Sequence, residues 1–153
     1  MKDIFANMYE WWGFLPLYSN DLAEHLRGYD LTCSDYFATP WYTYIGWSMI
    51  AVVAVLYALQ YHIVDSTRFM RRHHWWIVVL IISILNFSIA FSLPYNSVQS
   101  GDYCNQLNIS FSDCAGFGLS NVIWGFVIFL VITTIPWLRK LSTNCRHTTF
   151  YKP

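Results

Sequence analysis

Three stretches of this chain, residues 41–64, 75–95 and 117–138, contain no Asp, Glu, Lys or Arg. Each is long enough for one purpose in particular. A helix rises about 1.5 Å per residue, so about 20 apolar residues cross the roughly 30 Å hydrocarbon layer of a bilayer. The runs are continuous, whereas barrel strands alternate apolar and polar residues. The pattern therefore predicts an all-α, polytopic integral membrane protein with three transmembrane helices. Composition agrees: 12 % of residues are charged, against about 25 % in soluble domains. At 153 residues, the chain reads as one membrane domain.

The segment before the first run, residues 1–40, reads as helical and extramembranous. In residues 1–18, Ile4, Met8, Trp11, Trp12 and Leu15 recur at helical spacing. This predicts a short amphipathic helix broken near Gly13 or Pro16. It either packs on its own bundle or lies among lipid headgroups. Asp3 and Glu10 interrupt the apolar core that a signal peptide would need. Residues 19–30 read as a second short helix, with Ser19 or Asn20 as cap and Gly28 as a left-handed stop. Residues 31–40 read as a loop, and Pro40 can open the next helix.

The spans carry their own markers. Trp41, Tyr42 and Tyr44 suit one interface of the first span, and Tyr61 and His62 the other. Trp75 and Trp76 anchor the second, and Pro94 marks its end. Pro136 lies near the end of the third, where few backbone bonds remain to be lost. Each span also has a seam of small or polar residues: Ala51, Ala54 and Ala58; Ser83, Asn86 and Ala90; Gly118, Asn121 and Gly125. Such seams let helices approach closely.

Orientation follows from the basic residues. Seven of the nine fall in the turn around Arg68, Arg71 and Arg72 or in the tail, as Arg139, Lys140, Arg146 and Lys152. The loop at 96–116 has none. Basic residues near span ends favour the cytoplasm. The N-terminus and the 96–116 loop are therefore expected outside a plasma or bacterial inner membrane, with the C-terminus cytoplasmic. The rival topology makes residues 4–18 a fourth, re-entrant segment.

That arrangement puts Cys33, Cys104 and Cys114 on the oxidising side and Cys145 on the reducing side. A Cys104–Cys114 bridge is the simplest pairing, worth roughly 3 kcal/mol by chain entropy. Pairing Cys33 with either would tie the N-terminal segment to the loop, for about 4 kcal/mol. One outer cysteine is left over in each case. Asn108-Ile109-Ser110 fits a glycosylation acceptor.

Chemistry-bearing groups are sparse. His73, His74, Cys145 and His147 would share the cytoplasmic face and include residue types that bind zinc. Their spacing matches no zinc motif, and His residues beside Trp75 and Trp76 also make an ordinary interfacial belt. No nucleophile–base pattern, metal-protease motif, phosphate loop or intramembrane carboxylate pair is present, so no enzymatic activity and no cofactor are expected. Zero net charge gives no pull toward nucleic acid. The neutral polar residues of the spans, Ser83, Asn86 and Asn121 with Gly125 among them, either hold helices together or line a wet path between subunits.

Two functions fit these features. The first is a homo-oligomeric pore- or channel-forming protein that perturbs membrane permeability, its self-association driven by the seams. The alternative is a non-conducting accessory or anchoring subunit of a larger membrane complex, docking through its basic turn and tail. A membrane-bound metal or redox enzyme would require His73, His74, Cys145 and His147 to converge.

Overall fold

The computed structural model describes residues 2–11, 17–63 and 71–138, with Ser142, Cys145 and Thr148. Arg68, His147, the break expected near Gly13 or Pro16, and the basic residues of the tail lie outside the described residues, as does the side chain of Arg72. The described residues form helices: α1 (Lys2–Glu10), α2 (Asn20–Arg27), α3 (Trp41–Ala58), α4 (Arg72–Ser100) and α5 (Phe111–Thr134). A π-helical turn, Leu59–Ile63, continues α3.

Three helices are long and apolar enough to cross a membrane: Trp41–Ile63, His73–Ser100 and Phe111–Thr134. Even the best covered has only 39 % of its most apolar window buried. Side chains such as Leu80, Ile84, Val55 and Val131 are therefore left exposed. That much open apolar surface is what lipid, rather than water, accommodates.

The helix ends differ from the sequence reading in three places, each for a local reason. First, α4 does not stop at Pro94; it runs on to Ser100 with Pro94 inside it. Proline removes one backbone donor, and a single such loss is tolerated in apolar helices. The stop comes from Gly101 at φ 79°, a conformation that suits glycine. Its N–H donates to Val98 O at 3.2 Å while Asp102 N–H donates to Ser97 O at 3.0 Å, the paired closure of a Schellman motif.

Second, α5 begins at Phe111, six residues before the apolar run. Ser110 caps it reciprocally: Asp113 N–H donates to Ser110 Oγ at 3.3 Å, and Ser110 N–H to Asp113 Oδ2 at 2.9 Å. This is a capping box with Asp at the third position. Third, α5 ends at Thr134, because the residue before a proline, here Ile135, is pushed out of helical backbone by the ring of Pro136.

The early start of α5 corrects the disulfide. The bridge joins Cys33 to Cys104, with Cα atoms 5.5 Å apart, and not Cys104 to Cys114. Cys114 sits in the first turn of α5 and is buried as a free thiol. What reads as one loop with two cysteines is a loop cysteine and a helical one, and the helix has already committed the second to its packed face.

The chain divides into two compact units, Met1–Ser48 with Phe87–Asn121, and Met49–Asn86 with Val122–Pro153. In the first unit, α2 matches expectation at both ends. Ser19 Oγ accepts from Leu22 N–H at 3.3 Å, and Gly28 at φ 94° closes the helix. Leu22 and Leu26 are fully buried. Helix α1 buries Phe5, Ala6 and Tyr9 and leaves Ile4 exposed. Gly46 makes room for it, since a methyl group there would overlap the Phe5 ring. In the second unit, Val53, Trp75, Val79, Ile82 and Phe129 form the core.

Candidate functional site

The first unit gathers most of the polar chemistry. Its centre is aromatic. Tyr9 stacks on Tyr42 with ring centroids 5.6 Å apart and meets Phe117 edge-on at 5.1 Å. Tyr18 also meets Phe117 edge-on, and the Tyr18 and Tyr42 hydroxyls lie 3.1 Å apart. The Tyr9 hydroxyl donates to Asn121 Oδ1 at 2.5 Å. Burial pushes the Tyr9 phenol well above its usual range, with the nearby Tyr18 adding to it. Burial likewise raises Tyr18 to about 12. These phenols remain protonated at any physiological pH and serve as hydrogen-bond donors, not as bases.

Around this centre runs a network of charges. Arg27, near the end of α2, grips Glu10 of α1: Nε donates to Oε1 at 3.0 Å and Nη2 to Oε2 at 2.5 Å. The Glu10 hydrogen bond holds the guanidinium protonated still more firmly. Arg27 Nη1 is 3.9 Å from Glu24 Oε1, too far for a hydrogen bond. Glu24 instead accepts from the Tyr36 hydroxyl. Two further carboxylates tie the loops down. Asp113 Oδ1 accepts from Ser19 N–H at 3.0 Å, and Asp21 Oδ2 from Asn108 N–H at 3.0 Å.

A cleft of about 500 Å³ opens among these elements. Ala6 and Asn7 of α1, Leu26 and Arg27 of α2, Tyr36 and Pro40 of the loop, and Tyr42 of α3 line it. That volume lies within the range of small-molecule sites. Its wall is mixed: one guanidinium, one carboxamide, two phenols and three apolar side chains.

The loop beneath α2 is rigidly built. Asp30 N–H donates to Asp35 O at 2.8 Å, and Cys33 N–H to Asp30 O at 3.0 Å. Tyr29 donates to Cys33 O at 2.8 Å, and the disulfide fixes Cys33 itself. His25, on the buried side of α2, is 4 % exposed, and neither ring nitrogen has a hydrogen-bond partner among the described residues. Burial pushes its imidazole below the usual histidine range.

The residues singled out in the spans fall as follows. Asn86 and Asn121 are both fully buried. In the second unit, Asn86 lies against Gly125, where a methyl group would come within 2.6 Å of the carboxamide nitrogen. Gly125 thus exists as the space that Asn86 fills. Ser83 is half-buried and donates to Val79 O at 2.9 Å. Of the three seams, those on α4 and α5 are covered at Asn86, Ala90, Gly118, Asn121 and Gly125, while Ala51 and Ala54 on α3 are exposed.

His73 and His74 are neighbours with ring centroids 4.0 Å apart, and Cys145 is buried. Among the described residues no group of three His, Cys, Asp or Glu side chains is arranged to hold a metal ion. Near the end of α3, Tyr57 and Tyr61 donate to Leu138 O and Thr148 O at 2.8 and 2.6 Å. Gln60, on the π-turn, is 6 % exposed, with both amide atoms unpaired among the described residues.

Sequence reading did not find the Glu10–Arg27 pair, the Tyr9–Asn121 bond or the cleft. Only the capping box had a local signature, the Ser-x-x-Asp at Ser110. Comparison with protein-family models, with curated proteins and with solved structures finds no match.

Proposed function

We propose that this chain is a three-span membrane protein that self-associates and acts as a non-conducting anchoring subunit, with its N-terminal segment outside and its basic turn and tail in the cytoplasm. One observation carries the reading. The polar residues best suited to line a path, Asn86 and Asn121, are consumed inside the protein, while the small-residue face of α3 is left open. A fully buried carboxamide packed on Gly125 holds helices together; it does not face ions. Ala51 and Ala54 leave a small-residue strip beside the exposed Val55, where a second copy's α3 can approach closely. The orientation rests on the distribution of Lys and Arg.

The pore reading differs from this one in a measurable way. Purified protein reconstituted into planar bilayers is expected to give no steady conductance above the lipid background. In membranes, Ala54→Cys is expected to yield a disulfide-linked dimer under mild oxidation, and Ala54→Phe to abolish self-association. Unitary conductance steps would return the pore to first place. A monomer at all protein-to-lipid ratios would remove self-association.

A further inference from the structure

We propose that the cleft between α1, α2 and the start of α3 binds a phosphate–ammonium zwitterion, such as the headgroup of a phosphoethanolamine lipid or its free soluble counterpart. The first unit carries eight acidic and two basic residues, a net charge of −6. A field of that sign disfavours a plain anion. Yet among the described residues the one charged side chain lining the cleft is the guanidinium of Arg27. Its Nε and Nη2 are taken by Glu10, while among the described residues its Nη1 has no acceptor within hydrogen-bonding distance. A guanidinium N–H suits a phosphate oxygen as a charge-assisted donor.

A ligand that satisfies both facts presents an oxygen anion to Nη1 and carries its own compensating cation. The cation finds favourable surroundings. The Tyr36 ring, 52 % exposed, lines the same wall, and aromatic faces attract ammonium groups. Glu24, which accepts from the Tyr36 hydroxyl, adds a carboxylate beside it. Pro40 and Tyr42 place the cleft at the start of α3, beside the Trp41–Tyr44 ring pair. Such aromatics mark the headgroup layer of a bilayer. The lipid as source therefore rests on the membrane reading; binding of the soluble zwitterion does not.

The test uses full-length protein in nonionic micelles. Native mass spectrometry compares retention of phosphatidylethanolamine with phosphatidylglycerol of equal chain length. Calorimetry measures phosphoethanolamine, ethanolamine and inorganic phosphate. Both lipids present a phosphate to Nη1, so discrimination comes from the ammonium, whose contact with an aromatic face is worth about tenfold. The amine lipid is therefore expected to be retained about tenfold over the glycerol lipid. Asn7→Trp, which fills the cleft and leaves the Glu10–Arg27 pair untouched, is expected to abolish that preference. Arg27→Lys keeps the charge and loses the Nη1 donor, and is expected to weaken binding similarly.

Phosphoethanolamine binding as tightly as the lipid supports the zwitterion with a soluble source. Binding of the lipid alone supports a headgroup site. Equal or better retention of the anionic lipid, full retention in Asn7→Trp, or no binding of either zwitterion overturns the proposal. The membrane topology, read separately with reporter fusions, would stand in each of those cases.

Discussion

Tyr9 fixes the position of a nine-residue helix that is too short to be stable alone. Its ring stacks on Tyr42 and its hydroxyl donates to Asn121, 112 residues away in sequence. Tyr9→Phe keeps the ring and removes the donor to a buried acceptor. It is expected to cost about 1 kcal/mol, between the average membrane hydrogen bond and a fully unsatisfied buried group. A lowered thermal midpoint in micelles, absent when Asn121→Leu is already present, checks this. His25 supplies the pH dependence. Its folded pKa lies below the unfolded value, so the unfolded chain protonates first as pH falls. The stability His25 confers is thus fully present above about 6.5 and is lost as pH drops below it toward the folded pKa. His25→Phe is expected to flatten that slope. Equal midpoints for wild type at pH 5 and pH 7.5 would remove the prediction. Neither residue's role was legible in the sequence. Tyr9 looks like any aromatic of an amphipathic helix, and His25 like a charge in a last turn. Their meaning lies in partners from distant segments.

At the scale of elements, the three long apolar helices were legible because a charge-free run of that length has few alternatives. Their ends were less so, since apolar content marks where a helix is greasy and not where its backbone bonds begin. Ser110 and Gly101 set those ends, and both act through backbone groups that hydropathy does not register. Ser110→Ala is expected to destabilise by about 1 kcal/mol through loss of the cap, read as a lowered midpoint with fraying of the first turn in hydrogen exchange. The cap also decides the disulfide, because it draws Cys114 into α5. Non-reducing peptide mapping is therefore expected to recover a Cys33–Cys104 crosslink and an alkylatable Cys114 after denaturation. A Cys104–Cys114 peptide would contradict the fold of the 101–110 loop. Seams were legible as seams, but not which of them the protein uses itself. Ser83, Asn86 and Ala90 have the same small-and-polar character as Ala51, Ala54 and Ala58, and only packing distinguishes the covered row from the open one. Gly125→Ala, on α5, tests the packing of Asn86 in the covered row. The added methyl presses on the Asn86 carboxamide, which lowers the midpoint, and Asn86→Ala in the same chain is expected to recover part of the loss.

At the scale of the whole molecule, zero net charge conceals a strong separation. Residues 1–40 and 96–116 hold eight of the nine acidic residues and two of the nine basic ones. The turn and tail hold the other seven basic residues. Acidic residues contribute little to how a membrane protein orients, so the asymmetry of Lys and Arg alone should set the topology. A reporter that is active only outside the cytoplasm, fused after residue 105, is expected to be active; fused after residue 70, it is expected to be silent. Replacing Arg68, Arg71 and Arg72 together with Gln removes three of those seven charges and leaves four in the tail. The tail lies just beyond the last span, so the remaining charges still favour a cytoplasmic C-terminus. The expected result is a mixed population, with reporter activity appearing at residue 70 in a minority of molecules, and not a full inversion. Unchanged silence there would show that the tail alone orients the chain. Complete inversion would show that the turn does.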